Sequence, residues 1–230
     1  LAVLLLHAVV LNLVIVGGAA IHAVRAGVDP AAALPAEVAR LSTDGFWLCL
    51  AMVPAVGAAL LFLWVLVRLR RGPSMRDTLA LYPAPGRAYL AWNALLILFL
   101  AAAALANHWA DRPVPQWMRQ VYDTAGALPL LVLAIVILGP LFEEALFRGF
   151  LFRSWLPTRL GAGGTVLLTA LFWTGIHVQY APWELAQVFA AGLLLGAARV
   201  RSGSLFVPFS MHALMNLAAL AELMLLPSGT

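Results

Sequence analysis

The stretch from Gly139 to Phe150, GPLFEEALFRGF, places two adjacent carboxylates and one arginine inside an otherwise apolar run of helical length. A charged side chain near the centre of a bilayer costs about 2.5–3.5 kcal/mol on insertion scales, so such groups are retained where they serve a function. Glu143, Glu144 and Arg148 therefore predict a functional site inside a membrane-spanning helix.

The composition around this stretch is that of a membrane protein. Of 230 residues, 63% are hydrophobic and 10% are charged, whereas a soluble domain carries about 25% charged residues. The net charge of +4 arises from arginines that stand mostly at the ends of apolar runs, which favours a role in membrane orientation over nucleic-acid binding. The single cysteine, Cys49, excludes a disulfide within the chain and a cysteine-based metal site.

Long uncharged runs predict an all-α polytopic bundle, because a helix needs about 20 mostly apolar residues to cross the hydrocarbon. We expect about seven spans and no separate soluble domain. Residues 1–127 would form three spans with a linker, and residues 128–230 would form a catalytic core of four spans. The predicted spans are Leu1–Val24, Gly45–Val67 (closed by Arg68, Arg70 and Arg71), Ala88–Ala110, Leu128 to the turn at Pro157, Thr165–His177, Pro182–Ala198 and Leu205–Leu226.

The distribution of arginine predicts the orientation of the chain. If the loop from Arg68 to Arg87 is cytoplasmic, alternation of the spans places ten arginines on that side and four on the other. This excess satisfies the positive-inside rule, so we expect a cytoplasmic N-terminus. The minority side carries Arg25, Arg40, Arg112 and Arg119, and the majority side carries Arg68, Arg70, Arg71, Arg76, Arg87, Arg148, Arg153, Arg159, Arg199 and Arg201.

Spacing along the chain brings further polar residues to the depth of the glutamates. Glu143 lies 14 residues before Pro157, and His177 lies 14 residues after Gly163 on the next span. At about 1.5 Å per residue, both groups are roughly 20 Å from one shared turn. His212 and Asn216 are spaced i and i+4 on the last span, so they share a helix face. The sequence therefore predicts one polar chamber built from three helices.

Spacing also separates the roles of the two glutamates. Glu144 and Arg148 are spaced i and i+4, which allows a carboxylate and a guanidinium to pair on one helix face. Glu143 is rotated by about 100° and stays available as a general base. Pro140 removes a helical hydrogen bond just before the pair, so we expect a kink or a local opening at this point.

Three motifs together resemble a known family, the CAAX prenyl protease and bacteriocin-processing family of intramembrane proteases (CPBP, or Abi). The family includes the type II CAAX prenyl endopeptidases. The motifs are EExxxR at Glu143, Glu144 and Arg148, an aromatic residue four before a histidine at Trp173 and His177, and HxxxN at His212 and Asn216. Trp173 stands where the family usually has Phe, and the seven expected spans are one fewer than the eight of the prenyl endopeptidases.

The resemblance implies hydrolysis of a peptide bond within or beside the membrane. Glu143 and His177 would activate water, and His212 and Asn216 would donate hydrogen bonds to the oxyanion. Glu144, Arg148 and Trp173 would support the site. The family is also described as containing metalloproteases, for which Glu143, His177 and His212 could ligate zinc. A metal-free glutamate mechanism is favoured here because there is no HExxH motif and the ligands would come singly from three helices.

The resemblance also indicates the partners and the location. The substrate would be a peptide or protein, either prenylated or membrane-embedded, and the chain would lie in a bacterial plasma membrane. Two alternatives use the same polar cluster without proteolysis: a non-catalytic scaffold or immunity factor, and a proton-coupled transporter. Asn216 favours the enzyme, since a proton relay does not require an amide donor at that spacing.

Overall fold

A computed structural model describes residues 1–70 and 72–225, and throughout these residues the regular structure is helical, with no strand. The predicted all-α class is therefore confirmed. Within these described residues ten helices follow one another: α1 (Ala2–Arg25), α2 (Pro30–Leu41), α3 (Gly45–Leu69), α4 (Met75–Leu79), α5 (Gly86–Trp109), α6 (Gln116–Thr124), α7 (Leu128–Trp155), α8 (Gly161–Gly175), α9 (Pro182–Ser202) and α10 (Phe206–Leu225).

Six of these helices are long and apolar enough to cross a membrane, namely α1, α3, α5, α7, α9 and α10. The number is close to the seven predicted, and the difference lies in the fifth predicted span, Thr165–His177. The corresponding helix α8 has 15 residues, begins at Gly161 and ends at Gly175. Two details of the prediction, Arg71 at the end of the second span and Leu226 at the end of the last, lie outside the described residues.

His177 lies two residues beyond the end of α8 rather than within it, which corrects the predicted helix boundary. Its ring nitrogen Nδ1 is 2.7 Å from the carbonyl oxygen of Trp173, and its backbone N–H donates to Thr174. The last carbonyls of a helix lack partners within the helix and are satisfied by such contacts. The His177 side chain therefore takes up a carbonyl that a further helical turn would have used.

Helix α7 contains the glutamate pair and is irregular on both sides of it. Two π-helical segments, Val132–Leu138 and Ala145–Leu151, flank the α-helical segment Gly139–Glu144. Pro140 has no backbone N–H and cannot donate to the preceding turn, which disturbs the regular ladder at this point. Wider π-helical turns occur frequently at functional sites. The kink or local opening expected at Pro140 stays a prediction.

The chain divides into two compact units. One unit comprises residues 1–63 and 114–139 together with the described residues from 220 onward. Within it, Ile15, Ala19, Leu41 and Ala51 form a buried apolar cluster. The other unit comprises residues 64–113 and 140–219 and contains every candidate site residue. The boundary at residue 127 predicted from the sequence concerns function and stays a prediction.

Helices α8 and α9 of the second unit pack closely because glycines of α9 face α8. A Cβ atom on Gly192 would lie 3.0 Å from the ring of Trp173, and one on Gly196 would lie 2.9 Å from Val166. Small residues let two helix backbones approach closely inside a membrane. The absence of side chains at Gly192 and Gly196 therefore brings Trp173 against α9.

Candidate active site

Glu144 and Arg148 form a fully buried ion pair on α7, as their spacing predicts. Arg148 Nη1 donates to Glu144 Oε1 over 2.9 Å, and neither side chain has any exposed surface. The guanidinium also lies 4.6 Å from the centre of the Trp173 ring, and its Nη2 donates to the Gly192 carbonyl over 3.3 Å. Arg148 thus connects α7 with α8 and α9 while it balances the charge of Glu144.

His212 lies between the two carboxylates. Its Nδ1 is 3.0 Å from Glu144 Oε1, and its Nε2 is 3.9 Å from Glu143 Oε2. An ionised carboxylate can only accept a hydrogen bond, so Nδ1 carries the proton that is donated to Glu144. This donation orients the ring and directs Nε2 towards Glu143. The side chain is 2% exposed, and it joins α10 to α7 in the middle of the site.

The indole of Trp173 holds the carboxylate of Glu143. Trp173 Nε1 donates to Glu143 Oε2 over 2.5 Å, and the indole is 1% exposed. The same ring meets His177 and His212 edge to face, with ring centres 4.9 and 5.2 Å apart. Sequence reasoning identified an aromatic wall at this position and missed the donor. The signal was present, because tryptophan has an N–H that the family's phenylalanine lacks.

His177 lies on the segment that connects α8 to α9. Because its Nδ1 lies 2.7 Å from the Trp173 carbonyl oxygen, which can only accept, Nδ1 is the protonated nitrogen. In the neutral ring Nε2 is therefore the nitrogen with a free lone pair. The structure thus gives His177 the tautomer in which Nε2 can accept a proton from water.

Tyr180 was missed by the sequence reasoning, since no motif includes it. Its ring stacks on His177, with centres 5.9 Å apart and planes 11° from parallel. Burial, together with the negative charge of Glu143, raises the pKa of the Tyr180 phenol to about 12. The phenol is therefore protonated at neutral pH and covers one face of the His177 ring.

Asn216 follows His212 by one helical turn on α10 and is half-buried. The structure thus gathers in one unit the residues that the sequence had singled out on three separate segments. Side-chain contacts join six of them: Glu143, Glu144, Arg148, Trp173, His177 and His212. Asn216 lies beside them through its position on the same helix as His212.

Arg199 of α9 supports the site from behind, a role that the sequence had not indicated. The sequence counted this arginine among the charges that set orientation. Its side chain is 9% exposed, and Nε donates to the backbone carbonyl of Arg148 over 2.9 Å. Arg199 thus holds the second π-helical segment of α7 against α9 and is not a free surface charge.

The three residues considered as zinc ligands are not arranged around a metal-sized centre. Within residues 1–70 and 72–225, no three histidine, cysteine or acidic side chains converge closely enough to hold a metal ion. Glu143 Oε2 accepts from Trp173, and His177 Nδ1 faces a backbone carbonyl. Glu143, His177 and His212 therefore do not fit a zinc site in this arrangement.

Comparison with known proteins agrees with the motifs. Residues 125–218 match the model of a family described as "Type II CAAX prenyl endopeptidase Rce1-like". The matched segment contains Glu143, Glu144, Arg148, His177 and His212, and its last residues follow Asn216. The resemblance inferred from the three motifs is thereby confirmed.

A curated relative shares part of this region. An uncharacterized 24.3 kDa protein of Escherichia coli is 41% identical over 87 residues, which cover 36% of this chain and 39% of that protein. The chain thus covers well under two thirds of the relative that it matches. No solved structure matches the chain. With six long apolar helices and this family match, the chain is an integral, multi-pass membrane protein.

Proposed function

We propose that the chain is an intramembrane endopeptidase, because residues 125–218 match the model of the type II CAAX prenyl endopeptidase Rce1-like family. It hydrolyses a peptide bond of a peptide or protein substrate at the membrane, and Glu143 acts as the general base. The substrate is prenylated or membrane-embedded, and the proposed location is a bacterial plasma membrane. Family membership supports a protease, and the assignments of individual residues below are our own.

One observation carries the proposal. Glu143, His177 and His212 meet around a single indole, that of Trp173, which contacts all three side chains. A structural ion pair requires Glu144 and Arg148 but not two histidines aligned beside a second carboxylate. Convergence of one carboxylate and two imidazoles within a membrane protein provides a base and hydrogen-bond donors in one group of side chains.

The first step is the activation of water between Glu143 and His177. Trp173 holds Oε2 of Glu143, which leaves Oε1 to accept a proton from water, while Nε2 of His177 accepts a hydrogen bond from the same water. The hydroxyl oxygen then forms a bond to the carbonyl carbon of the scissile peptide. The proton is now on Glu143, and the former carbonyl oxygen carries the negative charge.

The second step is the stabilisation and collapse of the tetrahedral intermediate. The oxyanion accepts hydrogen bonds from the side-chain amide of Asn216 and from Nε2 of His212, in the form of that ring with protons on both nitrogens. The carbon–nitrogen bond breaks, and the departing amine takes the proton from Glu143. One carboxylic acid, which keeps the other proton of the water, and one amine are formed, and Glu143 is ionised again for another cycle.

The proposal is tested by purifying the protein in detergent and measuring the cleavage of peptides, including prenylated C-terminal peptides. Replacement of Glu143 by Gln removes the base but keeps the size of the side chain and an acceptor for Trp173. We expect a loss of at least about a hundredfold in turnover with an unchanged melting temperature. Full activity of E143Q would contradict the assignment of the base.

Chelation is measured in parallel. Because the donor atoms do not converge on a metal-sized centre, cleavage should persist in the presence of a chelator. Inactivation that zinc specifically reverses would show instead that zinc takes part, with Glu143, His177 and His212 rearranged as its ligands. Wild-type protein that leaves the whole peptide set intact while it carries protons across vesicles would support a transporter.

A further inference from the structure

A groove of about 260 Å³ runs between α5 and α9, away from the candidate active site. The groove exists because small side chains line it, namely Ala102 and Ala106 on α5 and Ala186 and Ala190 on α9. Phe99 closes the end nearer the middle of α5. From Phe99 to Ala106 the groove follows roughly 10 Å of helix, which is enough for part of an extended hydrocarbon chain.

The opposite end of the groove is polar and cationic. The Asn107 side-chain oxygen accepts from Trp183 Nε1 over 2.7 Å and from Gln187 over 2.6 Å, which links α5 to α9. The guanidinium of Arg112 lies 5.5 Å from the centre of the Trp183 ring. Arg112 is exposed and makes no ion pair within the described part of the chain. An apolar groove thus leads directly to an available positive charge.

The groove and the active site lie on opposite faces of α9. Gly192, which faces Trp173, follows Trp183 by nine residues, and nine residues turn a helix by about 900°, which is half a turn beyond two full turns. A substrate held at Glu143 therefore contacts the other face of α9. This separation argues against the substrate as the occupant of the groove.

We propose that this groove is a binding site for an anionic membrane phospholipid. One acyl chain lies between α5 and α9 along Ala106 and Ala190, and the headgroup phosphate lies against Arg112. The combination of an apolar groove and an exposed guanidinium next to an indole is suited to a lipid with one negatively charged headgroup, because a guanidinium pairs with a phosphate. This inference does not depend on the proposed protease activity.

The carboxylates nearest this site form no ion pair with Arg112 within the described part of the chain. Asp111 is exposed on the same turn, and its neighbour Arg112 retains the position over Trp183. Glu184 follows Trp183 on α9, and its Oε2 is buried rather than presented to the headgroup. The alternative occupant is a second copy of the chain, since alanine-lined faces also pack helix against helix.

Native mass spectrometry of the detergent-purified protein measures lipid binding directly. Phosphatidylglycerol and phosphatidylcholine with identical acyl chains are titrated against the wild type and against Arg112→Gln. We expect the wild type to prefer phosphatidylglycerol, and the R112Q variant to lose roughly tenfold in affinity for it alone. Arg87→Gln, at the other end of α5 and also exposed, serves as the matched control and should bind as the wild type does.

A second pair of variants tests the groove itself. Ala106→Leu fills the groove, whereas Ala101→Leu adds the same volume on the opposite, exposed face of α5. We expect A106L to weaken binding of both lipids and A101L to leave it unchanged. Equal binding of the two lipids by the wild type, equal effects of A106L and A101L, or a dimer that A106L dissociates would each overturn the proposal.

Discussion

His212 Nδ1 lies 3.0 Å from Glu144 Oε1, the oxygen that also accepts from Arg148 over 2.9 Å. One carboxylate oxygen therefore orients both an imidazole and a guanidinium. Glu144 consequently does more than pair with the arginine of its own helix, because it determines which ring nitrogen of His212 faces Glu143. The second glutamate of the EExxxR motif positions a residue that is 68 positions away in the chain.

The two nitrogens of His212 can be tested separately with amide side chains. In Asn the amide nitrogen occupies a place close to that of Nδ1, and in Gln one close to that of Nε2. We expect His212→Asn to keep the contact with Glu144 and a near-wild-type melting temperature, but to lose turnover by about a hundredfold. His212→Gln should lose stability and retain more of the turnover. Peptide cleavage and thermal unfolding are measured on both variants. Equal losses of turnover and of melting temperature in the two variants would contradict separate roles for Nδ1 and Nε2.

Arg148 should be essential for stability. Removal of one partner from a buried ion pair leaves an uncompensated charge, so Arg148→Ala is expected to destabilise the protein by about 3–5 kcal/mol. Arg40 and Glu37 provide a matched control, because their atoms are also 2.9 Å apart but are 49% and 30% exposed. Arg40→Ala should cost less than about 1 kcal/mol. Denaturation in detergent measures the free energy of unfolding of both variants. Similar losses of stability in the two would contradict the argument that burial makes the Arg148 pair important.

The indole N–H of Trp173 should contribute to turnover. Trp173→Phe restores the family's usual residue and keeps an aromatic ring while it removes the donor to Glu143. A hydrogen bond to a charged group contributes about 1.5–3 kcal/mol, so kcat is expected to fall roughly ten- to a hundredfold. KM should stay unchanged, because the indole holds the base and not the substrate. A rise in KM at constant kcat would show that Trp173 contacts the substrate instead.

The stacking of Tyr180 on His177 predicts a difference between two substitutions. Tyr180→Phe keeps the ring that lies parallel to the imidazole, and it should retain turnover within a few-fold of the wild type. Tyr180→Leu removes the aromatic contact, which contributes about 0.5–1.5 kcal/mol, and turnover should fall by up to roughly tenfold. Cleavage assays at a saturating peptide concentration compare the turnover of the two variants with that of the wild type. A large loss in Y180F would indicate that the phenolic hydroxyl itself takes part.

Local spacing was enough to predict the parts of the site that lie on one helix. The Glu144–Arg148 pair is present because residues four apart on a helix are neighbours whatever surrounds them. The six long apolar helices could also be predicted locally, because a helix satisfies all its backbone hydrogen bonds within one segment and an uninterrupted apolar run is therefore stable in lipid as a helix.

The end of α8 and the hydrogen bonds between different helices were not predictable from local spacing. The apolar run continues through Ile176 and Val178, yet α8 ends at Gly175 and the His177 side chain takes up a carbonyl of its last turn. The donation from Trp173 to Glu143 requires α7 and α8 to lie at one particular distance. Gly192 sets part of that distance by the absence of a side chain.

The sequence by itself determined the class of protein, the three motifs of the site and the ion pair within α7, because composition, motif spacing and the helical repeat are properties of the chain alone. The tertiary structure decided which atoms meet: Trp173 at Glu143, His212 at Glu144 and Arg199 behind Arg148. A hydrogen bond forms only when the donor–acceptor distance is right to within a few tenths of an ångström, and here donor and acceptor belong to segments far apart in sequence. Only the packing of α7, α8, α9 and α10 sets such distances.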